Sequence, residues 1–307
     1  IYRDSDDFVD FSHSQRIYIA PALTWVIGPD TKLTILARHQ RDYDNPWSPV
    51  SAWGTIFPHA NGNVPISFSV NNPSANEVIN NINRKQIGYV FDHAFGDNLK
   101  LTQNLRYEVR KTYWDKWMFL AGFLDDNVVD GVQHGRTLGR YYYGEFNQED
   151  KEFGVDTKLT WKFATGAVEH NLLAGVDYRR ATERHSDTGS NFDATVHPLD
   201  LFAPDYSAPL IIDPLGAYAA SSKTSQVGFY LPDHVSLGQR LTLAFGGRWD
   251  TAKSGDQEDS KFSPAVGATW ALAPDASLYA NYSKSFTPTP SWQTAVGRSL
   301  LPPGTGG

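Results

Sequence analysis

The sequence of 307 residues predicts an all-β fold, the wall of a transmembrane, up-and-down antiparallel β-barrel. Three observations lead to this prediction: polarity alternates from one residue to the next, tight turns alternate with very long loops, and aromatic residues gather where the strands end. The clearest alternation sets apolar residues between charged and polar ones at Leu99, Leu101, Leu105, Tyr107 and Val109. Such a strand has one apolar and one polar face, because successive side chains point to opposite sides.

The same pattern recurs at Phe153, Val155, Leu159, Trp161 and Phe163, so it is a property of the chain. Alternation alone also fits a soluble sheet with one buried face. The lengths of the connections favour the membrane barrel. Several long loops on one side of the sheet would be unusual in a compact soluble domain, where loops beyond roughly 15 residues are uncommon.

Short, Gly- or Pro-containing turns join the predicted strands in pairs at 28–30, 96–98, 164–167, 236–239 and 273–275. The first strands are predicted near 14–27, 31–41, 85–95 and 98–111. Long loops are predicted at 42–84, 112–135 and 187–223, with a shorter one near 251–260. The loop at 42–84 contains five prolines and cannot continue a regular strand.

Residues 137–163 can be read as two strands broken at 148–151 or as one long strand. Two strands would move the turn at 164–167 to the long-loop side. We therefore predict one long strand with a register slip near Glu149, whose upper half projects beyond the bilayer. The total is then ten strands, with every short turn on one side.

Aromatic residues near both ends of the strands are typical of the girdles that barrels place at the two membrane interfaces. The interface set near the short turns is Trp25, Phe95, Trp161, Phe163 and Trp270. The set toward the long loops is Tyr107, Tyr178, Trp249, Tyr282 and Phe286. For each residue alone, packing in the core of a soluble sheet is the competing interpretation.

Composition limits the function classes. No run approaches the roughly 18 apolar residues of a membrane-spanning helix, and a barrel needs none because only alternate residues face lipid. Cysteine is absent, which excludes disulfides and thiolate chemistry, and a net charge of −7 argues against nucleic acid. No His-Glu-x-x-His, EF-hand or Gly-x-Ser-x-Gly motif occurs, so neither a resident metal nor catalysis is expected.

The chain begins at Ile1 without an initiator Met and ends in a Pro- and Gly-rich stretch. Ten strands would leave two unpaired edges, which hydrocarbon does not tolerate. We therefore expect residues 1–307 to be a partial barrel domain.

Five segments together resemble TonB-dependent siderophore receptors, in particular the ferrichrome-type branch. In chain order they are 16–25, 87–93, 163–177, 246–250 (Gly-Gly-Arg-Trp-Asp) and 278–286. The resemblance implies a 22-stranded barrel with an N-terminal plug in the outer membrane of a Gram-negative bacterium. It implies import of a ferric siderophore, of the hydroxamate class, driven by the TonB-ExbB-ExbD complex, with outer-membrane lipid around the wall and no cofactor. This chain would supply about ten strands, from the third to the twelfth, without the signal peptide, plug, first and last strands.

Loop aromatics are the candidate ligand contacts, since rigid rings offer large contact areas at low entropic cost. In the ferrichrome-type receptors that this chain resembles, an aromatic residue that contacts the ligand precedes a Pro-x-x-Gly-Thr-like stretch. Trp47, which precedes Pro49 and Gly54-Thr55, matches it best. The full set is Tyr43, Trp47, Trp53, Trp114, Trp117, Phe119 and Phe192. Packing of the loops against themselves is the alternative for each.

Two other functions stay open. The first is a receptor of the same kind for cobalamin, a glycan or another metal chelate. The second is an outer-membrane barrel hydrolase, for which Ser186 with His185 or His197 lies near a rim, although no triad spacing supports it.

Overall fold

The computed structural model describes residues 1–6, 8–44, 49–71, 79–211 and 217–287, and these form β-strands joined by turns and loops. The strands are β1 (Tyr2–Asp6), β2 (His13–Ile19), β3 (Ala22–Gly28), β4 (Thr31–Asp44), β5 (Ile79–Ala94), β6 (Leu99–Asp115), β7 (Trp117–Phe123), β8 (Val128–Val129), β9 (Val132–Gln133), β10 (Thr137–Tyr143), β11 (Glu145–Thr165), β12 (Val168–Thr188), β13 (Leu199–Asp200), β14 (Tyr218–Tyr230), β15 (Asp233–Leu237), β16 (Leu241–Ser254), β17 (Gln257–Ala273) and β18 (Ala276–Ser283). No helix in these residues has the length and apolarity needed to cross a membrane.

One antiparallel sheet of thirteen strands forms the wall, in the order β1, β2, β4, β5, β6, β11, β12, β14, β16, β17, β18, with β3 beside β4 and β15 between β12 and β16. The pair β2 and β3 keeps one register against β4 on both sides of Pro21. The pair β14 and β15 likewise keeps one register against β12 on both sides of Pro232. Each pair is therefore one wall strand interrupted by a proline, which has no N–H for the ladder.

Two predictions are confirmed: the fold is all-β and antiparallel, and the predicted short turns lie at one end of the sheet. All five predicted turns join neighbouring wall strands at one end of the sheet. Gly96, Gly166 and Gly238 lie in these turns with positive φ angles, a region that glycine enters without steric penalty.

The wall has eleven strands in the described residues, one more than predicted, because β1 pairs with β2. The predicted loop near 251–260 is also wrong. There β16 and β17 pair from Ser254 and Gln257 onward, so a turn of two residues, with Gly255 at positive φ, joins them.

The long strand predicted at 137–163 is correct only in part. Strand β11 pairs with β6 and β12 in unbroken register through Glu149, so the slip predicted there is wrong. The break lies at Gly144 instead, and residues 137–143 belong to another sheet. Gly144 passes so close to the backbone oxygen of Thr188 that a Cβ there would collide with it.

The long loops are not structureless, since they fold into a unit with its own sheet and core. Strands β7, β10 and β13 form a three-stranded sheet, and β8 and β9 form a small hairpin. We call this unit, residues 49–71, 116–143 and 189–211, the loop cap. Its buried core comprises Phe68, Val70, Met118, Leu138, Tyr142, Leu199 and Leu201.

The two faces of the wall differ as the alternation predicts. The outward face carries exposed apolar side chains, among them Phe229, Trp249 and Phe262, which lie side by side in register on three strands. The inward face carries ion pairs between strands, such as Arg38 with Glu108 at 2.6 Å and Arg110 with Asp150 at 2.6 Å. Charged groups inside and apolar groups outside reverse the arrangement of a soluble barrel and match a membrane barrel.

Candidate functional site

A chain of ring contacts crosses the inward side of the wall at the long-loop end and continues into the loop cap. We call these eight residues the aromatic arc: Phe192, Tyr143, Phe119, Trp117, Trp114, Phe146, His185 and Tyr218. Successive ring centroids lie 4.9, 5.0, 4.2, 4.7, 4.6, 6.2 and 5.3 Å apart. Spacings of this size are those of stacked and edge-to-face aromatic pairs.

The wall half of the arc follows from strand register. Trp114 on β6 lies opposite Phe146 on β11, and the two rings are stacked at an interplanar angle of 25°. Asp187 on β12 and Tyr218 on β14 continue this row, and His185 lies on the same face of β12, two residues before Asp187. The arc is therefore fixed to four neighbouring strands of the wall.

The cap half comes from two paired strands and one loop. Trp117 and Tyr143 are opposite each other on β7 and β10. Phe119 lies against Tyr143, whose ring contacts Phe192 from the loop that follows β12. Phe192 and Tyr218, at the two ends of the arc, are more than half exposed and open to an incoming ligand.

Four predicted ligand residues thus come together in the arc: Trp114, Trp117, Phe119 and Phe192. The other predicted residues lie elsewhere. Trp53 packs on Phe57 in the first long loop, at 5.3 Å, Tyr43 lies on the outward side of β4 by register, and Trp47 lies outside the described residues. Sequence reasoning missed Tyr143, Phe146, His185 and Tyr218.

The predicted interface aromatics on the wall strands and their turns lie on the outward face, whereas Phe286 follows the last wall strand, β18. Trp25, Phe95, Trp161, Tyr178, Trp249, Trp270 and Tyr282 are exposed there. Phe163 is half-buried, because its ring is stacked on that of His170 at 4.6 Å. Their contact with lipid interfaces stays a prediction.

Arg140 on β10 holds the loop cap together. Its side chain is 1% exposed. Its Nε donates to the backbone oxygen of His197 at 2.9 Å, and its Nη1 donates to that of Val70 at 2.8 Å. One guanidinium therefore joins the hairpin of β7 and β10 to the loops before β5 and after β12. Burial lowers the pKa of Arg140 to about 10, so it stays charged at neutral pH.

His197 supplies a titratable ring at this junction. Its Nε2 accepts a hydrogen bond from the backbone N–H of Ile211 at 2.9 Å, so the neutral ring carries its proton on Nδ1. Nδ1 is buried without a hydrogen-bond partner among the described residues. Burial, and to a lesser extent the charge of Arg140, lower the pKa of His197.

Acid is expected to loosen the cap through His197. Because its pKa is lower in the folded cap than its unfolded value of about 6.5, the unfolded cap takes up the proton first. The contribution of the neutral ring to stability is complete above pH 6.5 and declines as the pH falls below it. Hydrogen exchange of cap peptides at pH 7.5 and pH 5.0, corrected for intrinsic rates, should show protection lost in acid. The same loss in His197→Gln would contradict this assignment.

Comparison with known proteins agrees with the fold of the wall. The family model described as TonB dependent receptor-like, beta-barrel matches residues 25–306. The ferrichrome outer membrane transporter/phage receptor of Escherichia coli is 30% identical over 91% of this chain and 40% of its own length. The ferrioxamine B receptor of Salmonella typhimurium is 27% identical over 90% of this chain and 38% of its own length.

A solved structure shares the fold. The ferric-catecholate import receptor of Escherichia coli, in its closed form, superposes with a TM-score of 0.78, at 17% identity, over 94% of this chain and 45% of that one. The chain thus spans about 40% of the length of the curated relatives it matches. The first of these relatives is an outer membrane transporter, and the other two are receptors.

Two findings lead to one conclusion: the structure is a β-barrel wall with an apolar outward face, and the family model matches most of the chain. The chain belongs to the TonB-dependent receptor-like β-barrel family and forms part of the wall of an outer-membrane barrel.

Proposed function

We propose that the protein binds a ferric siderophore of the hydroxamate class at the aromatic arc, and that the receptor imports it with energy from the TonB-ExbB-ExbD complex. The observation that carries this proposal is the arc itself, a continuous aromatic surface at the long-loop end of the wall. Large rigid rings suit a bulky chelate, because they bury much area while little side-chain entropy is lost. The iron arrives with its own ligands as cargo, so no resident metal or cofactor is needed.

Charges beside the arc favour a neutral or cationic chelate. Asp44, Glu183 and Asp187 lie on the inward face near its level, as register with the arc strands shows. On the same face, Arg16 is paired with Asp42 and Arg110 with Asp150, and Arg84 lies opposite Arg110. A trianionic catecholate complex would meet unfavourable potential here, whereas a neutral or cationic trihydroxamate complex would not.

Competition binding to the protein purified from outer membranes tests the proposal. Ferric trihydroxamates should displace a radiolabelled ferric trihydroxamate, while ferric tricatecholates, cobalamin and oligosaccharides should not. Stronger displacement by cobalamin, a glycan or another metal chelate would assign the arc to that cargo. Failure of every ferric chelate to bind would contradict the proposal.

A second part of the proposal concerns outer-membrane lipid. Directly above the apolar belt, the outward face carries a band of nine basic residues, which we call the outer basic band: His39, Arg41, Lys85, Lys111, Lys151, Arg180, Arg184, Lys223 and Lys253. Glu149 lies between Lys111 and Lys151, at 3.3 and 2.6 Å. A groove of about 880 Å³ on this face is lined by Lys85, Lys111 and Arg184. Basic residues at this height can pair with lipid phosphates.

Neutralising the band is expected to reduce bound anionic lipid. Each basic residue near a membrane surface contributes about 1 kcal/mol, so four substitutions together should remove most of the phosphate that copurifies with the protein. The test variant carries Gln at Lys85, Lys111, Arg184 and Lys223. A control variant carries Gln at four inward-facing basic residues, Arg84, Lys158, Lys162 and Lys261. Equal phosphate per protein in both variants would contradict a lipid role.

A further inference from the structure

Three neighbouring side chains at the long-loop end of the inward face leave polar atoms without partners. Asp44 on β4, Asn80 on β5 and Trp114 on β6 are opposite one another in register. The buried atoms Asp44 Oδ1, Asn80 Oδ1 and Trp114 Nε1 have no hydrogen-bond partner among the described residues. Buried polar atoms are nearly always satisfied in folded proteins, so three in one row are unusual.

The chemistry of the row is specific. Two of the three atoms are acceptors, and one of these belongs to a carboxylate, while the third is a donor on an aromatic ring. Asn80 also hydrogen-bonds the Asp44 carboxyl, and burial is the main cause that raises the pKa of Asp44. No ion pair to Asp44 occurs within the described residues, whereas its neighbour Asp42 is paired with Arg16. The Asp44 carboxyl thus forms no ion pair of its own there, although the charges of Arg16 and Arg3 act on it from a greater distance.

The row also lies at the aromatic arc. Trp114 belongs to both, and its ring is stacked on Phe146 and meets Trp117 edge-on. A carboxylate and an amide oxygen side by side recognise an alkylammonium ion, because they accept hydrogen bonds from its N–H donors.

We propose that Asp44, Asn80 and Trp114 form a subsite for a protonated primary amine carried by the ferric chelate, an inference that rests on the proposed function. The amine donates to the carboxylate and to the amide oxygen, and Trp114, which belongs to both the row and the aromatic arc, joins this subsite to the surface that holds the chelate. Chelates that bear such a group are then preferred over those that lack it.

A matched pair of ligands tests the subsite. The probes are the ferric complex of a linear trihydroxamate with a terminal primary amine and the same complex with that amine acetylated. Calorimetric titration of the detergent-purified protein should show the amine form binding roughly tenfold to a hundredfold more tightly, since hydrogen bonds to charged groups are worth that much. In Asp44→Asn, which keeps the shape of the side chain, this ratio should fall to near one.

Asp259→Asn is the matched control, since it removes one inward-facing carboxylate of β17 at the same end of the wall. This variant should keep the wild-type ratio. Equal affinities of the two chelates for the unsubstituted protein, or an equal ratio in Asp44→Asn and the unsubstituted protein, would overturn the subsite and leave the proposed function intact. Absence of binding by either chelate would contradict both.

Discussion

Replacing Arg140 by alanine is expected to unfold the loop cap while the barrel wall stays folded. The buried guanidinium donates to the backbone oxygens of His197 and Val70, which belong to two different loops. Without it, both carbonyls lose a partner in a site that water does not reach, and the truncated side chain leaves a cavity in the interior of the cap. Losses of this kind destabilise by about 3–5 kcal/mol.

Limited proteolysis and hydrogen exchange would measure the loss of structure separately in the loop cap and in the barrel wall. In Arg140→Ala, peptides from 116–143 and 189–211 should lose most of their protection, while peptides from β11 and β12 should keep theirs. The cap and the wall can separate in this way because the cap has its own sheet and its own hydrophobic core. Local units of this sort open independently of the rest of a protein.

Arg136→Ala is the matched control for Arg140→Ala. Arg136 lies close by and pairs with Asp200 at 3.0 Å, but its side chain is 40% exposed. Exposed ion pairs contribute about 0–1 kcal/mol, so this variant should retain cap protection. Similar loss in both variants, or no loss in Arg140→Ala, would mean that the buried guanidinium does not hold the loops together.

The wall could be predicted from the sequence because its physics is local. A strand between lipid and an aqueous lumen must alternate in polarity at every second residue, and this signal is visible without knowing its partners. Above the bilayer the outward face meets water, and the alternation fades. Residues 148–151 are polar on both faces for that reason. The irregularity was therefore predicted near Glu149, whereas the structure has the break at Gly144.

The loop cap and the arc depend on contacts that local patterns do not record. Phe119 and Phe192 lie far apart in the chain. Phe119 reaches Tyr143 because β7 pairs with β10, and Phe192 reaches it because its neighbour Asn191 forms a bridge with Tyr142. Aromatic residues in loops therefore identified half of the arc, whereas the partners on the wall required the register of β6 with β11. Given the registers of β6 with β11 and of β11 with β12, Phe146 and His185 share the inward face with Trp114.

Truncating the centre of the arc is expected to have the largest effect on ligand binding. Trp114 contacts Trp117 on one side and Phe146 on the other, so Trp114→Ala removes the residue that joins the cap half of the arc to the wall half. Central aromatic anchors of binding sites typically contribute about 2–4 kcal/mol, which corresponds to a loss of affinity of roughly 30-fold to 1,000-fold.

Equilibrium binding of a radiolabelled ferric trihydroxamate without a free amine would measure this loss independently of the amine subsite. Trp249→Ala is the matched control, because Trp249 is a tryptophan of the same wall that lies on the outward face and is 49% exposed. Its truncation should leave affinity unchanged within about twofold, since the ring lies on the opposite side of the sheet from the arc. If Trp114→Ala retained the affinity of the unsubstituted protein, the rings would serve only to pack the cap on the wall. The chelate would then have to bind elsewhere, and hydrogen exchange of the cap in the same variant would show whether that packing had been lost.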